Sequence, residues 1–292
     1  MNSKYEIEKS VEGIEISREN CSSLKEISIL PGLCRADYKS PLNRRDISWY
    51  DENILNPMIK EGKISDGSNS PYDDRKMRYD SSSFSNSKLT IKLGHITFLD
   101  VIEKKKRTRD ETQKLTRLGK RYFNDPYAFF GRNLGVTGII LTSDRRIIVG
   151  ERQVQKDIYD GLLQGIAGNV DYQENPSMIS LKKEMIREIN EEVGISLEEI
   201  ADLKILGLFS DPKMNGDDLD FCYLVKINIP QFYFLSEAWK KNVKEREHKK
   251  FISIKNYPSL QRMIKEEKMR EKSEIIFSTL GALESIIQED FY

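Results

Sequence analysis

Little in this sequence points to a secreted, disulfide-bonded or transition-metal protein. Only three Cys occur among 292 residues, Cys21, Cys34 and Cys222, and no two have CxxC spacing. So sparse a set excludes a disulfide framework and a thiolate metal cage. The two His, His95 and His248, stand far apart, too few for a structural zinc site. The opening MNSKYEIEKS carries no apolar signal segment. No run approaches the roughly 18 apolar residues of a membrane span. Charge of one sign is lacking as well, with 47 Lys and Arg against 47 Asp and Glu. That balance excludes bulk positive charge as the means of holding nucleic acid. With 17 Gly and 9 Pro the chain is neither collagen-like nor a long disordered polymer. The expectation is a cytoplasmic protein with no membrane or nucleic-acid partner, working as a monomer or homodimer.

What is present suffices for a core, since 38% of the residues are hydrophobic. The length suggests one large or two small domains. Residues 6–16 and 24–32 alternate in the manner of short strands, ending in a turn at Pro31-Gly32. Residues 61–88 are rich in Ser, Asp, Gly and Asn and read as a loop, or two loops around a short element, with LTIKLGHITFLDVIE behind them as a strand entering a helix. The run 104–121 holds nine basic and two acidic side chains, a solvated helix face or a local attraction for phosphate. An aromatic-rich connection around Pro126 follows, and a boundary falls near residue 130. Beyond it, GVTGIILTSDRRIIVGERQ reads as a hairpin turning at Ser143-Asp144. Helices are expected over 176–192, 258–271 and 273–288, and strands over 203–210, 219–227 and 250–255. In the last helix Ile275, Ile276, Thr279, Leu280, Leu283 and Ile287 form one stripe. This pattern predicts an α/β layered domain over 131–292, preceded by an α+β extension over 1–130.

The segment with chemistry in it is GNVDYQENPSMISLKKEMIREINEEVGI, residues 168–195. On a helix Glu188, Glu191 and Glu192 stand at i, i+3 and i+4 and share a face. Leu181, Met185 and Ile189 run along another face and can meet a sheet. Three neighbouring carboxylates repel one another unless cations compensate, and hard divalent ions prefer such oxygen ligands. Arg187, four residues before Glu191, can hold that acid in place. Gly194 can end the helix in a left-handed state. At the other end Asn175 with Pro176, or Ser180, can cap it.

These residues resemble the Nudix hydrolase family. Gly168 and Glu174 match the opening of the family's box. Arg187, Glu188, Ile189, Glu191, Glu192, Gly194 and Ile195 match its closing run completely. The departure is a spacer of twelve residues, NPSMISLKKEMI, where the family has seven. The extra length must enter the loop or the start of the helix. The resemblance implies a mixed sheet sandwiched between helices, and hydrolysis of a nucleoside diphosphate linked to another group. It implies Mg2+, with Mn2+ as a substitute, held by Glu188, Glu191, Glu192 and the carbonyl of Gly168. Arg187, Glu188, Glu191 and Glu192 would form the catalytic set. A further carboxylate is expected from a later loop, from Asp217, Asp218, Asp220, Glu245 or Glu247, with Glu247 favoured. His248 is a weaker option as a base.

A second resemblance, to the branch of the family that cleaves UDP-glucose and UDP-galactose, spans most of 45–292. It is carried by YDDRKMRY (72–79), LTIKLGHITFLDVI (89–102), LGVTGIILTSDRRIIVGERQ (134–153) and STLGALESI (278–286). It implies UMP and a sugar 1-phosphate as products, and the extension as part of substrate recognition. Phe123, Tyr127 and Phe129 are then candidates for the base, Arg78 and Arg132 for phosphate, and Glu174 for a further substrate contact. ADP-ribose or another dinucleotide is the alternative substrate, and a Nudix-fold binding module without turnover is the alternative of a different class.

Overall fold

The computed structural model describes residues 6–7, 24–32, 60, 75–97, 107–153, 159–210, 218–239 and 247–288. Cys21, Cys34, Asp217 and Glu245 lie outside them.

The described strands are β1 (Glu6–Ile7), β2 (Glu26–Pro31), β3 (Arg75–Ser85), β4 (Lys88–Thr97), β5 (Asn133–Leu141), β6 (Ile147–Arg152), β7 (Leu163–Gln164), β8 (Ile166–Asn169), β9 (Ile200–Ser210), β10 (Asp218–Ile227) and β11 (His248–Ile254). The helices of twelve or more described residues are α1 (Arg109–Phe123), α2 (Leu181–Val193), α3 (Tyr257–Met269) and α4 (Phe277–Gln288). All strands join one mixed sheet, ordered β1-β9-β10-β5-β3-β4-β2, with β6 and β8 also on β5, and β7 and β11 on β6. The fold is therefore α/β, a mixed sheet flanked by helices. No helix among the described residues is long and apolar enough to cross a membrane.

Strand β5 is central because nine consecutive residues, NLGVTGIIL, are buried. A strand covered on both faces reads as a continuous apolar run rather than an alternation. Its two faces meet different helices. Val136 shares a core with Met185 and Ile189 of α2. Ile139 shares the other core with Leu280 and Leu283 of α4. Burying such a side chain contributes about 1.5–3 kcal/mol, so these two stripes fix where α2 and α4 sit.

Helix α2 starts at Leu181, not at Pro176. Ser180 wins the competition for the cap, its hydroxyl accepting the Lys183 N–H at 3.4 Å. Pro176–Met178 form a separate 3-10 turn capped by Asn175, which is where the longer spacer goes. Gly194 closes the helix in the left-handed region, φ 68°, its N–H reaching the Asn190 carbonyl.

The strongest departure from the sequence expectation is β3. Composition predicts a loop, or two loops around a short element, over residues 61–88, yet residues 75–85 pair along their length with β4. Met77, Arg78 and Tyr79 are buried, and the Tyr79 and Ser82 hydroxyls are 2.8 Å apart. Pairing on both edges supplies the strand that composition argues against. The link Arg78↔Asn133 joins β3 to β5, so the described strands of residues 1–130 belong to the same sheet as those beyond.

Candidate active site

Register places the site. Gly135 of β5 stands opposite Asp220 of β10 on one side and Asn169 of β8 on the other. Val136 stands opposite Gly168 in the same ladder. The four residues of β8 therefore lie between α2 on one face and the start of α4 on the other. A cavity of about 390 Å³ surrounds this strand. Its wall includes Ala167, Gly168 and Asn169 of β8, Glu188 and Glu191 of α2, and Ile276 and Phe277 at α4.

Glu188 lies directly against β8. A Cβ placed on Gly168 would come within 2.0 Å of Glu188 Oε1 and 2.2 Å of its carboxyl carbon. Only glycine admits the carboxylate there. The next residue along β8 toward its start, Ala167, donates its N–H to Glu192 Oε1 at 3.2 Å. Glu192 does not line the cavity as Glu188 and Glu191 do. It turns inward, 2% exposed, and its Oε2 lies 2.8 Å from His248 Nε2. The shared helix face is thus split, with two acids at the cavity and one beneath.

Arg187 ties the acids together. Its Nη1 donates to Glu191 at 2.7 Å and its Nη2 to Glu188 at 2.7 Å, while Nε and Nη2 reach Glu184 at 3.3 and 3.1 Å. Burial disfavours the guanidinium charge, but Glu188, Asp171 and Glu184 more than offset this and raise its pKa. Burial pushes the Glu188 carboxyl up to about 8; Arg187 opposes the shift, and Glu192, Glu191 and Glu247 reinforce it. Burial also holds the His248 imidazole down to about 4, against Glu247 and together with Arg152. His248 is accordingly neutral at pH 7 and buried against Glu192, away from the cavity wall where a base would stand.

The wall as a whole carries six carboxylates, Asp171, Glu188, Glu191, Asp218, Asp220 and Glu247, against the cations Lys76, Arg152 and Arg187. Glu247 lies 3.5 Å from Arg152 Nη1, and Asp171 lies 2.8 Å from Lys76 Nζ. Tyr159 donates to Asp218 at 3.0 Å, and Thr137 to Asp220 at 3.0 Å. Such a surplus of acid suits a polyanion only if divalent cations come with it. The donor set fits hard cations, because every acidic wall group and the nearby Gly168 carbonyl offer oxygen. As the side chains stand, no group of three or more His, Cys, Asp or Glu among the described residues converges on a point that could hold a metal. The guanidinium of Arg187 takes the place between Glu188 and Glu191.

Several residues expected at the substrate lie elsewhere. Arg78 is buried, donating from Nε to the Phe130 carbonyl at 3.2 Å and from Nη2 to the Tyr127 carbonyl at 3.1 Å. Arg132 is buried over the rings of Tyr127 and Tyr79, 4.0 and 4.8 Å from their centroids. Both guanidiniums hold the connection from α1 to β5, and neither lines the cavity. Phe123 packs edge-on against Phe129, and Tyr127 is taken by Arg132, so neither pair offers a base-stacking surface at the cavity. Glu174 is exposed on the lengthened loop beside Tyr172 and Pro176, in a separate depression. Sequence reasoning misses Lys76, Arg152, Asp171, Tyr159 and the amide pair Asn133–Asn169, bonded at 2.8 Å. Asp171 follows Gly168 closely and is within reach of the motif. Lys76 is contributed by β3, which the sequence does not show as a strand.

Fold and site together define a class: an α/β protein with helix-borne glutamates against a glycine of a short central strand, at an acid-rich cavity. No protein-family model matches the chain, and no curated protein does. Among solved structures, a MutT protein from Methanosarcina mazei is similar over 55% of this chain and 96% of its own, at 15% identity and a TM-score of 0.37. A Nudix hydrolase from Nitrosomonas europaea covers 54% and 89%, at 16% identity and 0.35. A bifunctional NMN adenylyltransferase/ADP-ribose pyrophosphatase from Francisella tularensis covers 66% and 52%, at 14% identity and 0.39. Likeness this low assigns no activity to the chain.

Proposed function

We propose that the chain is a Nudix-type hydrolase that uses Mg2+ or Mn2+ to cleave the diphosphate of a nucleoside diphosphate linked to a second group. The observation that carries this is the Glu188 carboxyl, pressed against Gly168 in an acid-rich cavity and disfavoured as an anion there. A divalent cation held beside it would supply neutralisation of phosphate charge and easier ionisation of an attacking water. Glu188, Glu191 and the Gly168 carbonyl would hold them, with Glu192 beneath. Lys76 and Arg152 would meet phosphate oxygens, and Arg187 keeps the acids in position. Glu247, in the cavity wall beside Arg152, would take the water's proton as the P–O bond breaks.

The UDP-sugar reading rests on resemblance in sequence. Its expected contacts, Arg78, Arg132, Phe123 and Tyr127, lie away from the cavity, so the class as a whole is the better supported statement. ADP-ribose and dinucleotides stand in it beside UDP-glucose and UDP-galactose. A panel of UDP-glucose, UDP-galactose, ADP-ribose, NADH and a capped RNA, assayed for release of a nucleoside monophosphate with Mg2+ or Mn2+, tests it. Turnover of at least one member, abolished by EDTA and restored by added cation, is the expected outcome. Binding of cation without turnover of any member would instead favour a binding module.

The extension enters this reading through Lys76. Replacing it with Ala removes one charge-assisted contact, about 1.5 kcal/mol or tenfold. If that contact forms equally in the ground and transition states, KM rises by about that factor while kcat stays nearly constant. Steady-state kinetics on whichever panel member turns over checks this, and an unchanged KM removes Lys76 from the substrate site.

A further inference from the structure

We infer that His248 is a positioning residue for Glu192, fixing the one box glutamate that turns away from the cavity; the inference rests on the cation-binding reading of α2. The two oxygens of Glu192 are pinned by different strands. Oε1 accepts from Ala167 N–H, next to Gly168, and Oε2 faces His248 Nε2, next to Glu247. In the tautomer with its proton on Nε2, the ring donates to Glu192 Oε2. Nδ1 is then a bare acceptor, and among the described residues it is buried with no hydrogen-bond partner. An apolar residue of the same size would fill this space without leaving such an acceptor unmatched. The ring is also accommodated closely: a Cβ on Gly150 would lie 2.2 Å from Nδ1, and Phe251 packs 4.9 Å away.

This bond holds Glu192 in one rotamer, beneath Glu188 and beside Gly168. Groups that hold the residues around a cation site in place raise its affinity, and Glu192 holds Ala167, next to Gly168, from beneath the cavity. His248 itself does not line the cavity, so it acts through Glu192 and touches neither substrate nor reacting atoms.

The test is Mn2+ affinity of the full chain without substrate, read from the spin resonance signal of free Mn2+. His248→Phe keeps the bulk and loses the donor, and is expected to weaken binding by roughly 10–100-fold. His248→Gln can return an N–H to the Nε2 position and is expected to recover most of that loss. Glu192→Gln is the reference. If it weakens Mn2+ binding while His248→Phe does not, the positioning role is overturned and the cation site stands. If Glu192→Gln itself binds Mn2+ as the native chain does, the role of Glu192 at the cation site fails first. Should His248→Phe not fold, His248→Gly with and without imidazole decides: tighter Mn2+ binding with imidazole supports the inference, and no response overturns it.

Discussion

Glu188→Gln is expected to lower kcat by roughly 10²–10³-fold, the loss typical when one preorganised electrostatic group is removed from a reacting centre. Gln preserves the shape against Gly168 but offers no anion. Arg187 still has Glu184, Glu191 and Asp171 as partners, so the helix surface is not left with a bare cation. A kcat within tenfold of the native value would remove Glu188 from the chemistry. The same variant has a second signature. In the folded chain the Glu188 carboxyl lies at about 8, above its usual 4.5. Its ionisation therefore opposes folding: the stability present below pH 4.5 is lost as pH rises toward 8. Without bound cation, Glu188→Gln should show a flatter dependence of Tm on pH across that window. Thermal melts in EDTA at several pH values measure it.

Gly168→Ala carries the second large effect. The added carbon would lie 2.0 Å from Glu188 Oε1 and 2.6 Å from Oε2, far inside any contact distance. Either the carboxylate swings away or β8 shifts, and misplacement on the order of 1 Å at a reacting centre costs about 10²-fold. The stability cost of such overpacking is about 1–3 kcal/mol, a modest fall in Tm for a chain of this size. Activity and stability should thus separate, with kcat lost and the circular dichroism spectrum kept. Full activity in this variant would show that Glu188 does not work from its position against the strand.

Much of this arrangement can be read in the sequence because it is local. The spacing of Glu188, Glu191 and Glu192, the stripe Leu181–Met185–Ile189 and the terminal Gly194 all act within one helix, and α2 forms where they indicate. The apolar run of β5 likewise announces a strand covered on both sides. Two local signals still mislead. Asn175 and Pro176 form a good cap, but they cap a 3-10 turn, because Ser180 lies one residue before the stripe begins. Residues 75–85 carry a Ser-rich polar stretch that only β4 and β5, brought together by the fold, turn into a strand. The split of the helix face is also illegible: Glu192 turns inward because Ala167 and His248 meet it there, and neither is near it in sequence. Arg78 and Arg132 look like surface arginines until burial gives them backbone carbonyls and aromatic rings. The cavity wall, drawn from Lys76 to Phe277, has no sequence signature of its own.

Arg187 gives the acid cluster an internal counterion. The glutamates need no external ion to sit together, so folding does not wait on divalent metal. If the site takes a divalent ion as proposed, that ion would compete with a guanidinium already bonded to Glu188 and Glu191, and the competition would weaken its hold. Under the proposed function, metal occupancy would then follow the free ion concentration in the surroundings rather than remain permanently locked in the chain.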